Sequence, residues 1–191
     1  MGSERRVQDV FLVGGLRSHL GLQNGIFKNV PPEKLGAALL RQLCIRCPAA
    51  REAQMILGGN AVGSGGNLTR LMALTAGFPV ETPALTLDMQ CASALGALSL
   101  AWGKIASGQL DVVLCGGVES SSLQPRRVYQ PWDSRYTPEG YMTAQFSPDT
   151  HSPRAMLEGQ LGRAQPPEGG PGGGRRPVGT LGGVPVRQHK R

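Results

Sequence analysis

The chain has 191 residues, enough for one packed domain with or without an appendage. Its formal charge of +7 is lopsided, +2 over residues 1–158 (14 Lys/Arg against 12 Asp/Glu) and +5 over 159–191 (6 against 1). The basic excess therefore sits in an aromatic-free tail rather than on a stripe of the folded part, which argues against a nucleic-acid partner, and no apolar run approaches the roughly 18 residues needed to cross a bilayer.

The opening MGSERRVQDV has neither the apolar stretch nor the small-residue cleavage site of a secretory signal. The expected location is cytoplasmic, where disulfides are rare, so Cys44, Cys47, Cys91 and Cys115 are expected as free thiols.

In chain order, Val7–Val13 is a short β-branched and aromatic run closed by Gly14-Gly15, and predicts a buried strand. From Glu33, the apolar positions Leu35, Ala38, Leu39 and Leu43 recur at helical spacing, with prolines before the entry and beyond the exit. Ala53–Leu57 predicts a second strand, followed by a glycine-rich loop to Gly66. Asn67 can then cap a helix that runs to Ala76 and stops at Gly77. Ala84–Gln90 predicts a third strand leading directly to Cys91. A helix over Ala92–Ser107 follows, with Leu95, Leu98, Trp102 and Ile105 on the face expected to be buried. Asp111–Cys115 predicts a fourth strand.

Apolar strands alternating with helices imply an α/β unit over residues 1–120, with parallel pairing and helices on both faces of the sheet. Residues 121–158 are polar, carry Tyr129, Trp132, Tyr136, Tyr141 and Phe146, and predict an ordered excursion without clear periodicity. Residues 159–191 hold 10 glycines and 5 prolines and are expected to be a disordered low-complexity tail.

Cys91 carries the strongest chemical signal. A cysteine between a buried strand and the start of a helix sits at the helix's positive end, which favours thiolate, and Ala92, Ser93, Ala94 and Gly96 leave room for a substrate. The residues alone leave two readings open, a nucleophile and a buried structural thiol. Cys44-Ile45-Arg46-Cys47 is a lone CxxC at a helix C-terminus, with no second pair for zinc and the wrong helix end for a redox disulfide, so packing is expected. Cys115 is expected in the core. Gly63-Ser64-Gly65-Gly66 matches neither phosphate-loop pattern, which favours close backbone packing. His19, His151 and His189 have no metal-binding spacing, and no metal is expected.

Residues 58–122 resemble the amino-terminal half of the thiolase family: the Gly-Asn loop, the helix ending in AGFP, the proline-bounded strand into Cys91, and GGVES after the next strand stand in the family's order. Val7–Leu43 is similar, with Ser18-His19 where the family usually has Thr-Pro. Residues 129–158 resemble the start of its loop domain, with Gln145 where many members have Glu.

The resemblance implies a layered thiolase-like fold and an acyltransferase in which Cys91 accepts an acyl group as a thioester. Such an enzyme cleaves a 3-ketoacyl-CoA or joins two acyl-CoA units, in the setting of fatty acid metabolism. It implies coenzyme A and acyl-CoA as substrates, no permanently bound cofactor, and a homo-oligomer. Segments of the GHP and CxGxG kind, which supply the family's general base and second cysteine, do not occur here. The expectation is thus an amino-terminal half that is inactive alone. The alternative is a non-catalytic fragment acting as a subunit or interaction module. The half is also expected to lack the strand that follows the loop domain, leaving a sheet edge open, and the composition beyond Gly159 is what a shifted reading frame would yield.

Overall fold

In the computed structural model the described residues are 7–63, 65–142 and 184–188, the last five as backbone. They fall into two units, Met1–Pro125 with Thr180–Arg191, and Arg126–Gly179.

The first unit contains strands β1 (Val10–Leu12), β2 (Met55–Gly59), β3 (Ala84–Leu87), β4 (Val112–Gly117) and β5 (Val184–Gln188), with helices α1 (Pro32–Arg46), α2 (Leu68–Ala76) and α3 (Ser93–Ala106). The strands form one sheet in the order β1-β5-β4-β2-β3. The predicted alternation of strand and helix holds, and β2 pairs in parallel with both β3 and β4.

Period-two alternation in β2 and β4 divides the core between two faces. Ile56, Val112 and Leu114 join Leu40, Leu43, Met72 and Ala73 under α1 and α2, whereas Leu57, Val113 and Cys115 join Ala97, Ala101 and Ile105 under α3. Both sheet faces carry helices, as crossover connections require.

The capping chemistry follows the residues. Proline opens α1, where its missing N–H interrupts no helical bond. Asn67 accepts a hydrogen bond from Arg70 N at 3.0 Å, and Gly77 closes α2 with φ +94°.

The structure corrects the helix faces. In α1 the buried residues are Gly36, Ala37, Leu40 and Leu43, and Ala38 is exposed, so the packed face is rotated from the one the leucine spacing suggests. The cause is Gly36, whose bare Cα admits the Met72 side chain of α2. In α3, Leu95 and Trp102 are 59% and 54% exposed, and the small residues Ala97 and Ala101, with Ile105, face the sheet. Close approach is the reason. A Cβ on Gly59 would lie 2.6 Å from the Ser93 carbonyl carbon, and one on Gly117 would lie 3.1 Å from Ala94 Cβ.

The sheet itself is mixed. β5 lies between β1 and β4, antiparallel to both, with Val186 opposite Leu12 on one side and Val113 on the other. A strand therefore does follow the loop segment. The edge of β4 expected to be open is paired, and these five residues of the expected structureless tail are extended. The β1 ladder ends at Val186, one residue short of Pro185, which has no N–H to offer it. The rest of 159–191, including most of the stretch read as out of frame, lies outside the described residues, as do Phe146, Gln145, His151 and His189.

In the second unit, Arg127 and Tyr141 exchange backbone hydrogen bonds of 2.8 and 2.7 Å. The Tyr129 and Tyr141 rings stack with centroids 4.8 Å apart, and the Arg135 guanidinium lies 4.0 Å from the Tyr129 centroid. Arg135 also binds both carboxylate oxygens of Asp133, at 3.0 and 2.8 Å, and this guanidinium holds the Asp133 carboxyl well below the usual range, at about 2. Among the described residues of this unit the contacts are aromatic and ionic, while Trp132 is 84% exposed.

Candidate active site around Cys91

Strand β3 ends at Leu87, three residues earlier than its apolar run suggests, and the chain then turns sharply into α3. Gln90 makes the turn with φ +54°, a left-handed conformation that costs a non-glycine residue on the order of 1 kcal/mol. Three hydrogen bonds hold it. Gln90 N donates to Asp88 Oδ1 at 2.7 Å, Met89 N donates to Ser93 Oγ at 2.8 Å, and Ser93 Oγ donates to Gln90 O at 2.6 Å.

Cys91 follows at the crest of this turn, one residue before Ala92, which caps the first turn of α3. Its side chain is exposed. Exposure removes the buried structural thiol as a reading of this residue. The remaining arrangement sets an accessible sulfur against the positive end of a 14-residue helix.

The other sequence candidates separate from this place. Cys44 and Cys47 are half-buried free thiols at the end of α1, and burial pushes the Cys44 thiol up, with Arg51 opposing it. Cys115 is buried in β4, as expected. Among the described residues, no group of three or more His, Cys, Asp or Glu could hold a metal ion, and no helix is long and apolar enough to cross a membrane. His19 lines a 280 Å³ pocket with Gln23, Phe27 and Ser120–Ser122.

The glycine-rich loop after β2 is already occupied. Ala61 N and Val62 N donate to Glu119 Oε2 at 2.8 and 3.2 Å, and Asn60 Nδ2 donates to Glu119 Oε1 at 2.8 Å. A carboxylate of the chain itself fills the place a phosphate loop would offer its ligand. Sequence reasoning missed Glu119, Asn60 and Gln90 as contributors to this region, and took Ser93 only as a small neighbour leaving room for substrate, whereas its hydroxyl holds the turn. The asparagine after Gly58-Gly59 and the glutamate after Gly116-Gly117 were the available signal.

Comparison with known proteins accords with this layout. Residues 10–158 match the family described as thiolase, N-terminal domain. The chain belongs to the thiolase family. YhfS of Bacillus subtilis (strain 168), named as an acetyl-CoA C-acetyltransferase, is 40% identical over 114 residues, covering 60% of this chain and 31% of that protein. VraB of Staphylococcus aureus (strain COL), with the same name, is 33% identical over 151 residues, covering 78% of this chain and 40% of that protein. The crystal structure of the Bacillus anthracis acetyl-CoA acetyltransferase superposes with a TM-score of 0.65 at 30% identity, over 70% of this chain and 35% of that one. The chain thus spans less than half the length of these thiolase relatives.

Proposed function

We propose that this thiolase-family chain carries the acyl-accepting part of an acyl-CoA acyltransferase, with Cys91 as nucleophile. The observation that supports it best is the exposed Cys91 sulfur on a strained turn at the N-terminal end of α3. The Cys91 thiolate attacks the thioester carbonyl of acyl-CoA, a tetrahedral oxyanion forms, and coenzyme A thiolate leaves and takes up a proton. The acyl group then sits on sulfur with its activation preserved. It is then transferred to the α-carbon of a second acyl-CoA, which gives up its α-proton to a base as the S–C bond breaks and Cys91 leaves as thiolate. In the cleavage direction Cys91 attacks the 3-keto carbonyl, the C–C bond breaks with the α-carbon taking up a proton, and the acyl group passes to the thiol of coenzyme A. One difficult carbon–carbon step thus becomes two easier ones.

The general base belongs to the part of the relatives' length that this chain does not span. The 191-residue chain acylates slowly and does not turn over. The same reading extends to coenzyme A as substrate with no resident cofactor, self-association in the complete enzyme, a cytoplasmic setting, and a place in fatty acid metabolism.

The test is incubation with acetyl-CoA followed by tryptic mapping. The peptide Leu71–Lys104 contains Cys91 and no other cysteine. A hydroxylamine-sensitive acetyl group on that peptide, lost in Cys91→Ala, supports the proposal. Acylation that persists in Cys91→Ala, or none at all after prolonged incubation, refutes it. Multiple turnovers by the purified chain would overturn the statement that the base lies elsewhere.

A further inference from the structure

The carboxylate of Glu119 does more than occupy a loop. Its partners, Asn60, Ala61 and Val62, follow β2 directly, and Glu119 itself follows β4, so the carboxylate ties together the C-terminal ends of two adjacent parallel strands. The tie is reinforced on every side. Asn60 Nδ2 also donates to Val118 O at 2.8 Å, and Asn60 Oδ1 accepts from Gly63 N at 3.0 Å. Val118 N donates to Gly59 O at 3.1 Å, and Asn60 N donates to Leu87 O, also at 3.1 Å, which brings in the end of β3.

These strand ends are the seat of α3. Gly59 and Gly117 approach Ser93 and Ala94 so closely that there is no slack between them, and Ser93 in turn clamps the backbone at Met89 and Gln90 around Cys91. A shift in the spacing of the β2 and β4 ends is therefore passed to the first turn of α3 and to the thiol.

We infer that Glu119 is a positioning residue for Cys91: by closing the Asn60–Val62 amides onto the end of β4, it fixes the seat on which the thiol-bearing end of α3 rests. This rests on the reading of Cys91 as the reactive thiol. Replacing Glu119 with alanine removes all three acceptor contacts. Glutamine keeps one oxygen for the Ala61 and Val62 amides and presents an NH₂ group to the Asn60 amide donor, so it restores part of the tie.

The readout is the rate of iodoacetamide alkylation of Cys91 in the folded 191-residue chain, followed on the Leu71–Lys104 peptide. Access to the sulfur depends on how the turn and the first turn of α3 are held, so Glu119→Ala is expected to slow alkylation about two- to fivefold, with Glu119→Gln between it and the parent. Arg70→Ala serves as a control, read on the Glu52–Lys104 peptide because cleavage after residue 70 is lost; that peptide too has Cys91 as its sole cysteine. It removes guanidinium bonds of 2.7 Å to Thr82 O and Val80 O on a different loop, and lowers stability while leaving the Cys91 rate at the parental value.

An unchanged or faster rate in both Glu119 variants overturns the inference, as does equal slowing in Arg70→Ala. Should Glu119→Ala not fold, the glutamine variant alone decides. If the alkylation order holds while acetyl-CoA leaves Cys91 unmodified, positioning stands and the acyl-transfer proposal falls.

Discussion

Ser93→Ala isolates the contacts that shape the turn before Cys91. Ser93 is 5% exposed, and its hydroxyl accepts from Met89 N at 2.8 Å and donates to Gln90 O at 2.6 Å. Each bond is worth about 0.5–1.5 kcal/mol net, and an orphaned group kept from water adds more. Met89 is an exposed residue, which gives its amide a route to solvent, so the upper part of that range does not apply.

A second term offsets the loss. Once the clamp is gone, Gln90 can leave its φ of +54° and recover part of the roughly 1 kcal/mol of strain. The balance is a destabilisation of about 1–2 kcal/mol, or a fall in Tm of about 3–8 °C for a unit of this size. Gln90→Gly removes the strain without touching the clamp, and should leave stability equal or raise it by about 0.5 kcal/mol.

Thermal and urea unfolding of the two single variants and the double variant measure these terms. The double variant should be less stable than the sum of the two single effects predicts, because glycine has no strain left to release when Ser93 is removed. Ser93→Ala should accordingly be more damaging in the Gln90→Gly background. A Tm change under about 1 °C for Ser93→Ala, or a Gln90→Gly variant destabilised by more than about 1 kcal/mol, would refute the account of a strained turn held by a serine clamp.

Three further outcomes follow from the geometry. Gly59→Ala places a Cβ 2.6 Å from the Ser93 backbone, so α3 must move; a loss of about 1–3 kcal/mol in urea unfolding is expected, together with altered Cys91 alkylation. Removal of residues 184–191 strips the strand that, among the described residues, pairs with β1, and amide exchange at Val10–Leu12 and Val112–Cys115 should accelerate while β2 and β3 stay protected; unchanged protection at β1 would contradict the strand order. Asp133 should titrate near 2 by NMR and move up to the ordinary carboxylate range in Arg135→Ala. Because its folded-state pKa is depressed, the Asp133–Arg135 pair contributes fully above the unfolded carboxylate's titration and is lost as pH falls toward 2.

Much of the architecture was readable from local pattern. Apolar runs bounded by glycine placed β2 and β4 within a few residues. Proline before α1 and the Asn67 and Gly77 pair around α2 marked helix ends through backbone chemistry that needs no distant partner. The same local order, with Cys91 between a strand and a helix, carried the family resemblance that the comparisons then established over residues 10–158.

What the pattern misplaced in α3 has a single physical cause. Helical spacing of large apolar residues assigned Leu95 and Trp102 to the buried face of α3, but burial there is decided by how closely the helix approaches the sheet. That approach depends on Gly59 and Gly117, 34 residues before Ser93 and 23 residues after Ala94 along the chain.

The order of strands and helices, the two-faced core of β2 and β4, the family, and a cysteine at a strand-to-helix turn are all legible along the chain. Each is set by neighbours within a few positions, where side-chain period and backbone propensity act. Three-dimensional packing is what exposes Cys91, puts the turn on Gln90, inserts β5 between β1 and β4, and lets Glu119 close the loop 57 to 59 residues before it. Those features depend on groups brought together by the sheet register. A carboxylate meeting two amides, or two glycines meeting one helix turn, leaves no periodic trace along the chain.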